Sequence, residues 1–360
     1  MKMKVMIAAG GTGGHIYPGI AVANEIMRRE PSSEVLFVGT SKGLETRIIP
    51  ENGFQLALIH SAGLKSVGIK GLVKGVMTLP RSFVEARRLL REFRPNVVVG
   101  AGGYVSGPVL MMAVVMGIPT LVMDSNALPG FTNRRLARFV DRAALTFQEA
   151  MPYFGKKGTV TGNPVRKEFF EVAREPTRDS NTSVLIFGGS QGARAINNAM
   201  IDALDRLNGA RETTRLVHQT GEADFERVRS AYAENGWETA EVRPYISDMV
   251  SEFRKADILI CRAGATTCAE IAAAGKAAIM IPLPTAADDH QRKNAEAMQN
   301  AGAVKMLVQD ASLAQTLADS LTELSNSPDT IVSMENAARK LARADAAEAT
   351  VDIIEELARD

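Results

Sequence analysis

The chain has 360 residues, of which 46% are hydrophobic and 23% charged, with a formal net charge of +1. This length is enough for two domains with separate cores, the composition is that of a soluble globular protein, and the balanced charge gives no indication of nucleic-acid binding. The two cysteines form neither a disulfide framework nor a zinc-ligand pattern, and no apolar run is long enough for a signal peptide or a membrane span.

The first predicted element is a short buried strand at residues 5–9, which ends at a glycine cluster. An amphipathic helix follows, and its apolar face contains Ile20, Val22, Ala23, Ile26 and Met27. A strand, a glycine turn and a helix direct free backbone N–H groups to one point, at the positive end of the helix dipole. The stretch therefore predicts a binding site for a phosphate or a carboxylate.

The same arrangement recurs at residues 97–107 and again at 184–193. Three such loops indicate one or two substrates that are rich in phosphate. A dinucleotide-binding fold is disfavoured, because Ile16 replaces the third glycine of its motif and the strand at 35–38 ends in Gly39 and Thr40 without a carboxylate. No loop has the lysine of a Walker motif. The structural alternative is that these glycines only permit tight turns.

A basic segment occupies residues 64–94. It carries eight lysines and arginines and only two acidic residues, Glu85 and Glu92, with apolar residues interleaved. Basic amphipathic segments can lie on anionic membrane surfaces. The alternative is a packed helix with a solvated basic face.

Strands and helices alternate along the whole chain, which predicts α/β architecture with parallel sheets. Glycine and proline interrupt regular structure at residues 161–166, and the third glycine loop opens a second half of similar pattern. We predict domains at 1–163 and 164–340, facing each other across a cleft. A last helix, at about 345–357, could cross back, so we expect residues 341–360 to pack on the first domain.

Several motifs resemble the MurG family, in the order in which the family has them. They are residues 10–18, 102–108, 162–166, 188–193, 264–270 and 288–291. The resemblance covers the whole chain. It implies the GT-B fold, with two Rossmann-like domains, and transfer of N-acetylglucosamine from its UDP donor to lipid I, an acceptor on a polyprenyl diphosphate. The product is lipid II for peptidoglycan.

The resemblance also assigns donor-binding residues. Ser190, Gln191 and Arg166 contact the diphosphate, the backbone of Ile246 reads uracil, Glu270 binds the ribose and Gln291 holds sugar hydroxyls. The remaining donor-site residues are Thr12, Gly13, Gly14, Asn126, Ala265, Thr266, Thr267, Cys268 and Ala269. The alternative for Glu270 is a helix capping box with Thr267, which has the required spacing. No Asp-x-Asp metal motif is present, so we expect neither a metal nor another cofactor.

For the acceptor, the residues predicted to meet the diphosphate are Gly14, His15, Gly103, Tyr104 and Ser106. His15 is the candidate general base for the attacking sugar hydroxyl, since the positive helix end favours a neutral imidazole. Two alternatives stay open for His15, namely positioning the acceptor diphosphate and a capping or packing role. Asp124 is a further candidate for the base. It lies in a stretch, 123–125, that departs from the family pattern, as do Ala101 and His290.

A lipid acceptor requires access to the cytoplasmic face of the membrane, where we expect peripheral binding to an anionic surface. The predicted docking residues are Ile69, Lys70, Leu72, Lys74, Val76, Leu79, Arg81, Phe83 and Arg88, with Met111, Met112 and Val115 adjoining. The rival functions are a GT-B transferase with a different acceptor and a membrane-surface protein that binds nucleotide sugars without turnover. An oxidoreductase is disfavoured by the glycine pattern.

Overall fold

The computed structural model describes residues 2–11, 13–41, 43–61, 68–172, 181–189 and 191–359, and for 68–76 the backbone alone. The chain divides into two compact units, one of residues 1–165 with 343–360 and the other of residues 166–342. The observed boundary between the units lies two residues after the domain boundary predicted between residues 163 and 164. Each unit is an α/β sandwich built on a parallel sheet, so the predicted fold class is confirmed.

The first unit contains a seven-stranded parallel sheet in the order β3-β2-β1-β4-β5-β6-β7. Its strands are β1 Lys4–Ala9, β2 Glu34–Gly39, β3 Gln55–Leu58, β4 Val97–Gly102, β5 Thr120–Asp124, β6 Arg142–Leu145 and β7 Gly158–Val160. Its helices are α1 Gly13–Arg29, α2 Glu45–Glu51, α3 Gly68–Phe93, α4 Ser106–Val115, α5 Phe131–Leu136 and α6 Met151–Phe154. The central strands β1 and β4 contain continuous buried apolar runs, residues 5–9 and 97–99, because helices cover both faces of the sheet.

The second unit contains a six-stranded parallel sheet in the order β10-β9-β8-β11-β12-β13. Its strands are β8 Thr182–Phe187, β9 Thr214–Gln219, β10 Glu241–Arg243, β11 Ile258–Cys261, β12 Ala277–Met280 and β13 Val304–Met306. Its helices are α7 Arg194–Ala203, α8 Phe225–Glu234, α9 Met249–Lys255, α10 Ala265–Ala274, α11 His290–Asn300, α12 Leu313–Ser325 and α13 Pro328–Leu341. Trp237 and Tyr232 are among the largest side chains in its core.

The last helix, α14 Ala346–Leu357, belongs to the first unit, where it packs on α1. Val351 and Ile354 are fully buried in the core that also contains β1. Arg29 of α1 donates to Asp352 at 2.6 Å and to the backbone oxygen of Glu348 at 3.0 Å. Apolar burial and these charged contacts together explain why the chain returns to the first unit after completing the second.

In both sheets the chain first adds strands on one side of the first strand and then adds strands on its other side. The place where this order reverses is the topological switch point. In the first unit this point lies between β1 and β4, and in the second it lies between β8 and β11. Ligands of open parallel sheets bind at the carboxyl ends of such strands. The first and second glycine loops follow β1 and β4, and the third follows β8, so all three stand at these positions.

Candidate functional site

In the first unit, two glycine loops touch each other at the switch point. A Cβ atom added to Gly103 would stand 2.3 Å from the backbone oxygen of Gly10, and Gly103 has φ +82°. Both the contact and the backbone angle exclude an ordinary side chain. The two loops therefore form one continuous backbone surface, next to the first turn of α1 with Gly13 and Gly14.

His15 is fixed on this surface. Its Nδ1 lies 3.2 Å from the backbone oxygen of Gly10, and its ring lies against Gly102, where an added Cβ would be 2.4 Å from Cδ2. A carbonyl oxygen can only accept, so Nδ1 carries a proton and donates it to this bond. When the ring is neutral, this tautomer places the lone pair on Nε2, which is the arrangement that a general base requires. The structure thus brings His15 together with Gly14 and the loop of Gly103 and exposed Tyr104.

Glu45 supports the first glycine loop, and sequence analysis missed it. Its buried carboxylate accepts hydrogen bonds from the N–H of Gly11 at 3.0 Å and the N–H of Thr40 at 2.9 Å. Burial alone raises the pKa of this carboxyl, but the hydrogen bonds from Thr40 and Gly11 outweigh it and hold the pKa below its usual range. An acidic residue is therefore present six positions after Gly39, where β2 ends, but its side chain is buried and binds the backbone of the glycine loop.

Ser106 and Asp124 have hydrogen bonds that organise backbone. The Ser106 hydroxyl accepts from the N–H of Gly102 at 3.1 Å and lies 2.9 Å from the backbone oxygen of Ala8. Ser106 is buried and holds the loop backbone, and its contact with a diphosphate stays a prediction. Asp124 accepts from the backbone N–H groups of Asn126 and Gly130, each at 3.0 Å.

The amide of Asn133 also donates to Asp124, at 2.8 Å. Burial raises the pKa of the Asp124 carboxyl, and these hydrogen bonds oppose the shift. Asp124 thus holds the loop that carries Asn126, and the electrostatic influence of His15 also opposes the rise of its pKa, so its role as a candidate base stays a prediction.

The second unit contains a cavity of about 470 Å³ at its switch point. The glycine loop lines it through Gly188, Gly189 and Gly192, and Arg194 and Ala195 contribute the first turn of α7. Gly264 and Thr267, at the start of α10, line it as well. Two helix N-termini therefore open into the same cavity, and their unpaired N–H groups and dipoles attract an anion.

Two arginines add positive charge to this cavity, and both escaped sequence analysis. Arg194 lines it from α7, and Arg262 lines it from the end of β11. The guanidinium of Arg262 donates to the backbone oxygens of Ile281 and Pro282 at 3.0 and 3.1 Å, so it is held in place. Their position next to glycine loops was the available signal, but only the fold brings both to one cavity.

Gln291 lines the same cavity with a fixed amide. Its Oε1 accepts the N–H of Leu283 at 3.0 Å, which determines the orientation of the amide. Nε2 is therefore the group that Gln291 can offer to a ligand as a donor. Neighbouring His290 donates through Nδ1 to the backbone oxygen of Ala287 at 2.6 Å, which stabilises the turn before α11.

Glu270 lies in the second turn of α10, away from its cap. Helix α10 begins after Gly264, which is its N-cap, so Thr267 is inside the helix and the capping-box alternative for Glu270 is wrong. Burial raises the pKa of the Glu270 carboxyl to about 7, and the nearby charge of Arg166 opposes this shift. Because this half-buried carboxylate does not cap the helix N-terminus, it is suited to binding a ligand.

The other predicted donor residues have different surroundings. Residues 265–269 form the first turn of α10 and the start of its second, and Cys268 among them is buried. Gln191 is exposed, and Ile246 is buried, with its N–H donated to Gln219. Thr12 and Ser190 lie outside the described residues, as do the side chains of Ile69, Lys70, Leu72, Lys74 and Val76.

Within the described part of the chain, no cluster of three or more His, Cys, Asp and Glu side chains is arranged to hold a metal ion. Among the same residues, no helix combines the length and apolar character needed to cross a bilayer.

Comparisons with known proteins match both units. The model of the glycosyltransferase family 28 N-terminal domain matches residues 5–145, and that of the C-terminal domain matches residues 183–351. A curated relative from Myxococcus xanthus (strain DK1622) is 46% identical over 357 residues, which cover 99% of this chain and 93% of the relative. It is named UDP-N-acetylglucosamine--N-acetylmuramyl-(pentapeptide) pyrophosphoryl-undecaprenol N-acetylglucosamine transferase. A relative with the same name from Citrifermentans bemidjiense is 45% identical and covers 97% of this chain and 98% of its own length.

Among solved structures, MurG from Acinetobacter baumannii superposes with a TM-score of 0.83 at 32% identity, covering 99% of this chain and all of that one. The UDP-GlcNAc 2-epimerase from Neisseria meningitidis superposes with a TM-score of 0.70 at 15% identity, covering 98% of this chain and 100% of its own. At that identity the epimerase is similar in fold alone.

The contact geometry of the third glycine loop leads to a stability prediction. Gly192 has φ +74°, and an added Cβ would lie 1.8 Å from the backbone oxygen of Thr220. Gly192→Ala should therefore destabilise the protein by about 2–3 kcal/mol, because the backbone must move as well as accept a strained angle.

The matched control is Gly209→Ala, where an added Cβ meets nothing within 4 Å. Denaturant unfolding of both variants is the measurement. Equal stability of the two variants would contradict the close packing of the loop.

Proposed function

The chain belongs to glycosyltransferase family 28, and we propose that it transfers N-acetylglucosamine from UDP-N-acetylglucosamine to lipid I, forming lipid II. The bond forms between the 4-hydroxyl of N-acetylmuramic acid and the anomeric carbon of the donor. UDP leaves from the opposite face, so the configuration inverts and the new link is β-1,4. The names of the relatives and the resemblance of the motifs support this reaction.

The observation that carries the proposal is the cavity of the second unit. A nucleoside diphosphate needs compensation for its negative charge, and this charge increases on the oxygen that leaves the sugar. The N-termini of α7 and α10 and the hydrogen-bonded guanidinium of Arg262 supply positive potential from fixed groups, and exposed Arg194 adds a further positive charge. Because these groups are already in place, they stabilise the departing UDP without reorganisation. Arg166, near Glu270, adds a further charge on the same unit.

We assign the other parts of the donor to further residues of the second unit, of which Gln291 lines the cavity. We assign the ribose hydroxyls to Glu270 and the sugar hydroxyls to the amide Nε2 of Gln291. The uracil is assigned to the backbone oxygen of Ile246, since the N–H of this residue is already donated to Gln219. The resemblance of the motifs also assigns Asn126 and residues 12–14 to the donor.

The acceptor is assigned to the first unit. The backbone surface formed by the loops of Gly10 and Gly103 can donate N–H groups to the lipid diphosphate, with Tyr104 beside it. His15 is proposed to take the proton of the attacking hydroxyl on Nε2, because Nδ1 is already engaged with Gly10. The hydroxyl oxygen then attacks the anomeric carbon as the bond to UDP breaks.

The test of the reaction is release of UDP from UDP-N-acetylglucosamine by the purified protein. The proposal expects release only when lipid I is supplied, together with formation of lipid II. Release with a different lipid acceptor and not with lipid I would favour another transferase. Binding of the nucleotide sugar without release under any condition would favour a binding protein.

His15→Gln separates a base from a positioning group, because glutamine can donate a hydrogen bond but cannot take a proton. A base role predicts a fall in kcat of about a hundredfold or more and loss of the acidic limb of the pH profile. His60→Gln is the matched control, since His60 is an exposed histidine of the same unit paired with Glu85. If His15→Gln retains most of its kcat while the acceptor KM rises, the positioning role is correct.

Glu270 predicts a pH dependence of donor binding. If its carboxylate accepts the ribose hydroxyls, donor binding draws the group to its ionised form and releases protons near its pKa of about 7. Donor KM should fall as the pH rises from about 6 to about 8. Glu270→Gln should raise the donor KM and flatten its pH dependence. The lost charged contact corresponds to about 2–3 kcal/mol of binding free energy.

The same group affects stability without the donor. Its ordinary pKa is 4.5 and its folded pKa is about 7, so between these values the folded protein retains a proton that the unfolded chain has lost. Stability should therefore decrease as the pH rises through this window, and less so in Glu270→Gln. Glu234→Gln, on an exposed residue of α8, is the control for this stability measurement.

For donor binding, a KM with the same pH dependence in wild type and Glu270→Gln would refute the ribose assignment.

We propose that α3 binds to the cytoplasmic face of the membrane. Phe83 and Leu79 are half-buried, whereas Met77 and Val84 are 76% and 69% exposed. Arg81 and Arg88 are exposed but pair with Glu85 and Glu92, so the net positive charge of the helix comes from Lys70, Lys74, Arg87 and Arg91. Helix α4 packs against α3 and exposes Val115, which extends the apolar part of this surface.

Neutralising Lys70, Lys74, Arg81 and Arg88 together should weaken sedimentation with anionic vesicles, since each cationic contact contributes about 1 kcal/mol. Catalysis on a short-chain soluble acceptor should persist. The control neutralises four exposed arginines of the second unit, Arg211, Arg215, Arg227 and Arg229. Equal sedimentation of wild type and the α3 variant would show that the membrane surface lies elsewhere.

A further inference from the structure

Gln219 ends β9 and joins two loops of the second unit through its side chain. The residue is 2% exposed, and both ends of its amide are bonded. Nε2 donates to the backbone oxygen of Gly189 at 2.9 Å, and Oε1 accepts the N–H of Ile246 at 2.7 Å. A carbonyl can only accept and an N–H can only donate, so these partners fix the orientation of the amide.

The backbone after Gln219 is wedged between the same two loops. The N–H groups of Thr220 and Gly221 donate to the backbone oxygens of Arg243 and Pro244 at 3.0 and 3.1 Å. On the other side, a Cβ atom on Gly221 would lie 2.2 Å from the backbone oxygen of Gln191. Residues 219–221 therefore separate the glycine loop from residues 243–246 by a fixed distance, and Gln219 bonds directly to both.

We propose that Gln219 is a positioning residue that couples the diphosphate loop to the Ile246 backbone, so that the two ends of the nucleotide are bound in one fixed geometry. The inference rests on the proposed function, since it takes the glycine loop as the diphosphate site and the Ile246 segment as the base site. Gln219 does not line the cavity, and both ends of its amide are engaged by backbone groups. It acts by preorganising the peptides assigned to the ligand, which spares the cost of ordering them when the nucleotide binds.

The chemistry of the position explains why glutamine is required. The side chain must donate to Gly189 and accept from Ile246 at the same time, in a buried place where an unpaired polar group is costly. Methionine has a similar volume and satisfies neither partner. An ionised glutamate satisfies Ile246 but turns an oxygen towards the carbonyl of Gly189. A protonated glutamate can donate with one oxygen and accept with the other, so it reproduces the pattern of the amide.

The experiment compares UDP with inorganic pyrophosphate as inhibitors of the transferase. Pyrophosphate needs the glycine loop alone, whereas UDP needs the loop and the base site in register. In Gln219→Met the inhibition constant of UDP should rise at least about tenfold, while that of pyrophosphate changes by less than about threefold. The matched control is Gln299→Met, because Gln299 also accepts a backbone N–H, that of Met306 at 2.8 Å, but is exposed and does not line the cavity.

Gln219→Glu provides the second arm. Burial raises the pKa of a carboxyl, so lowering the pH should protonate this side chain and restore UDP binding. The ratio of its UDP inhibition constant to that of wild type should fall towards one between pH 8 and pH 6, whereas the ratio for Gln219→Met should stay constant. Because each value is divided by that of wild type at the same pH, the titration of Glu270 cancels.

Two results would overturn the inference. UDP and pyrophosphate constants that rise together in Gln219→Met would show that Gln219 only supports the loop. A UDP constant that is unchanged in Gln219→Met would show that the coupling does not exist. Failure of wild type to bind UDP would instead refute the proposed function, and this inference with it.

Discussion

Close approach of backbone to backbone at the two switch points is the constraint on which the rest of this structure depends. Gly103 lies against the carbonyl of Gly10 in the first unit, and Gly192 lies against that of Thr220 in the second. A side chain at either position would force the loops apart. The contacts keep the loop N–H groups and the helix N-termini beside the carboxyl ends of the central strands, where a phosphate can meet several of them at once.

One glycine loop in each unit is also held in place by a buried polar side chain. Glu45, at the start of α2, accepts the N–H of Gly11, and Gln219, at the end of β9, donates to the carbonyl of Gly189. In both units the support comes from the strand that neighbours the first one, or from the loop after it. This explains the absence of a ribose-binding acid at the end of β2, since the carboxylate that follows serves the loop instead. Ribose binding in the second unit is assigned to Glu270 on α10.

The sequence was sufficient for the sheets, the glycine loops and the family. Apolar runs followed by glycines are local signals, and the motifs of the family occur in order along the chain. Glu45, Gln219, Arg194 and Arg262 were missed because their partners are distant in sequence or are backbone groups, which leave no pattern. The capping-box alternative for Glu270 failed for a local reason, since α10 starts at Gly264 and places Thr267 inside the helix.

The central claim is that UDP-N-acetylglucosamine binds to the loop and helix ends around the cavity of the second unit. Hydrogen–deuterium exchange with saturating donor tests it most directly, because bound phosphate oxygens engage backbone N–H groups. We expect slower exchange at residues 188–195 and 264–270, with little change in α12 and α13. Slower exchange confined to the glycine loops of the first unit, with 188–195 and 264–270 unaffected, would contradict it.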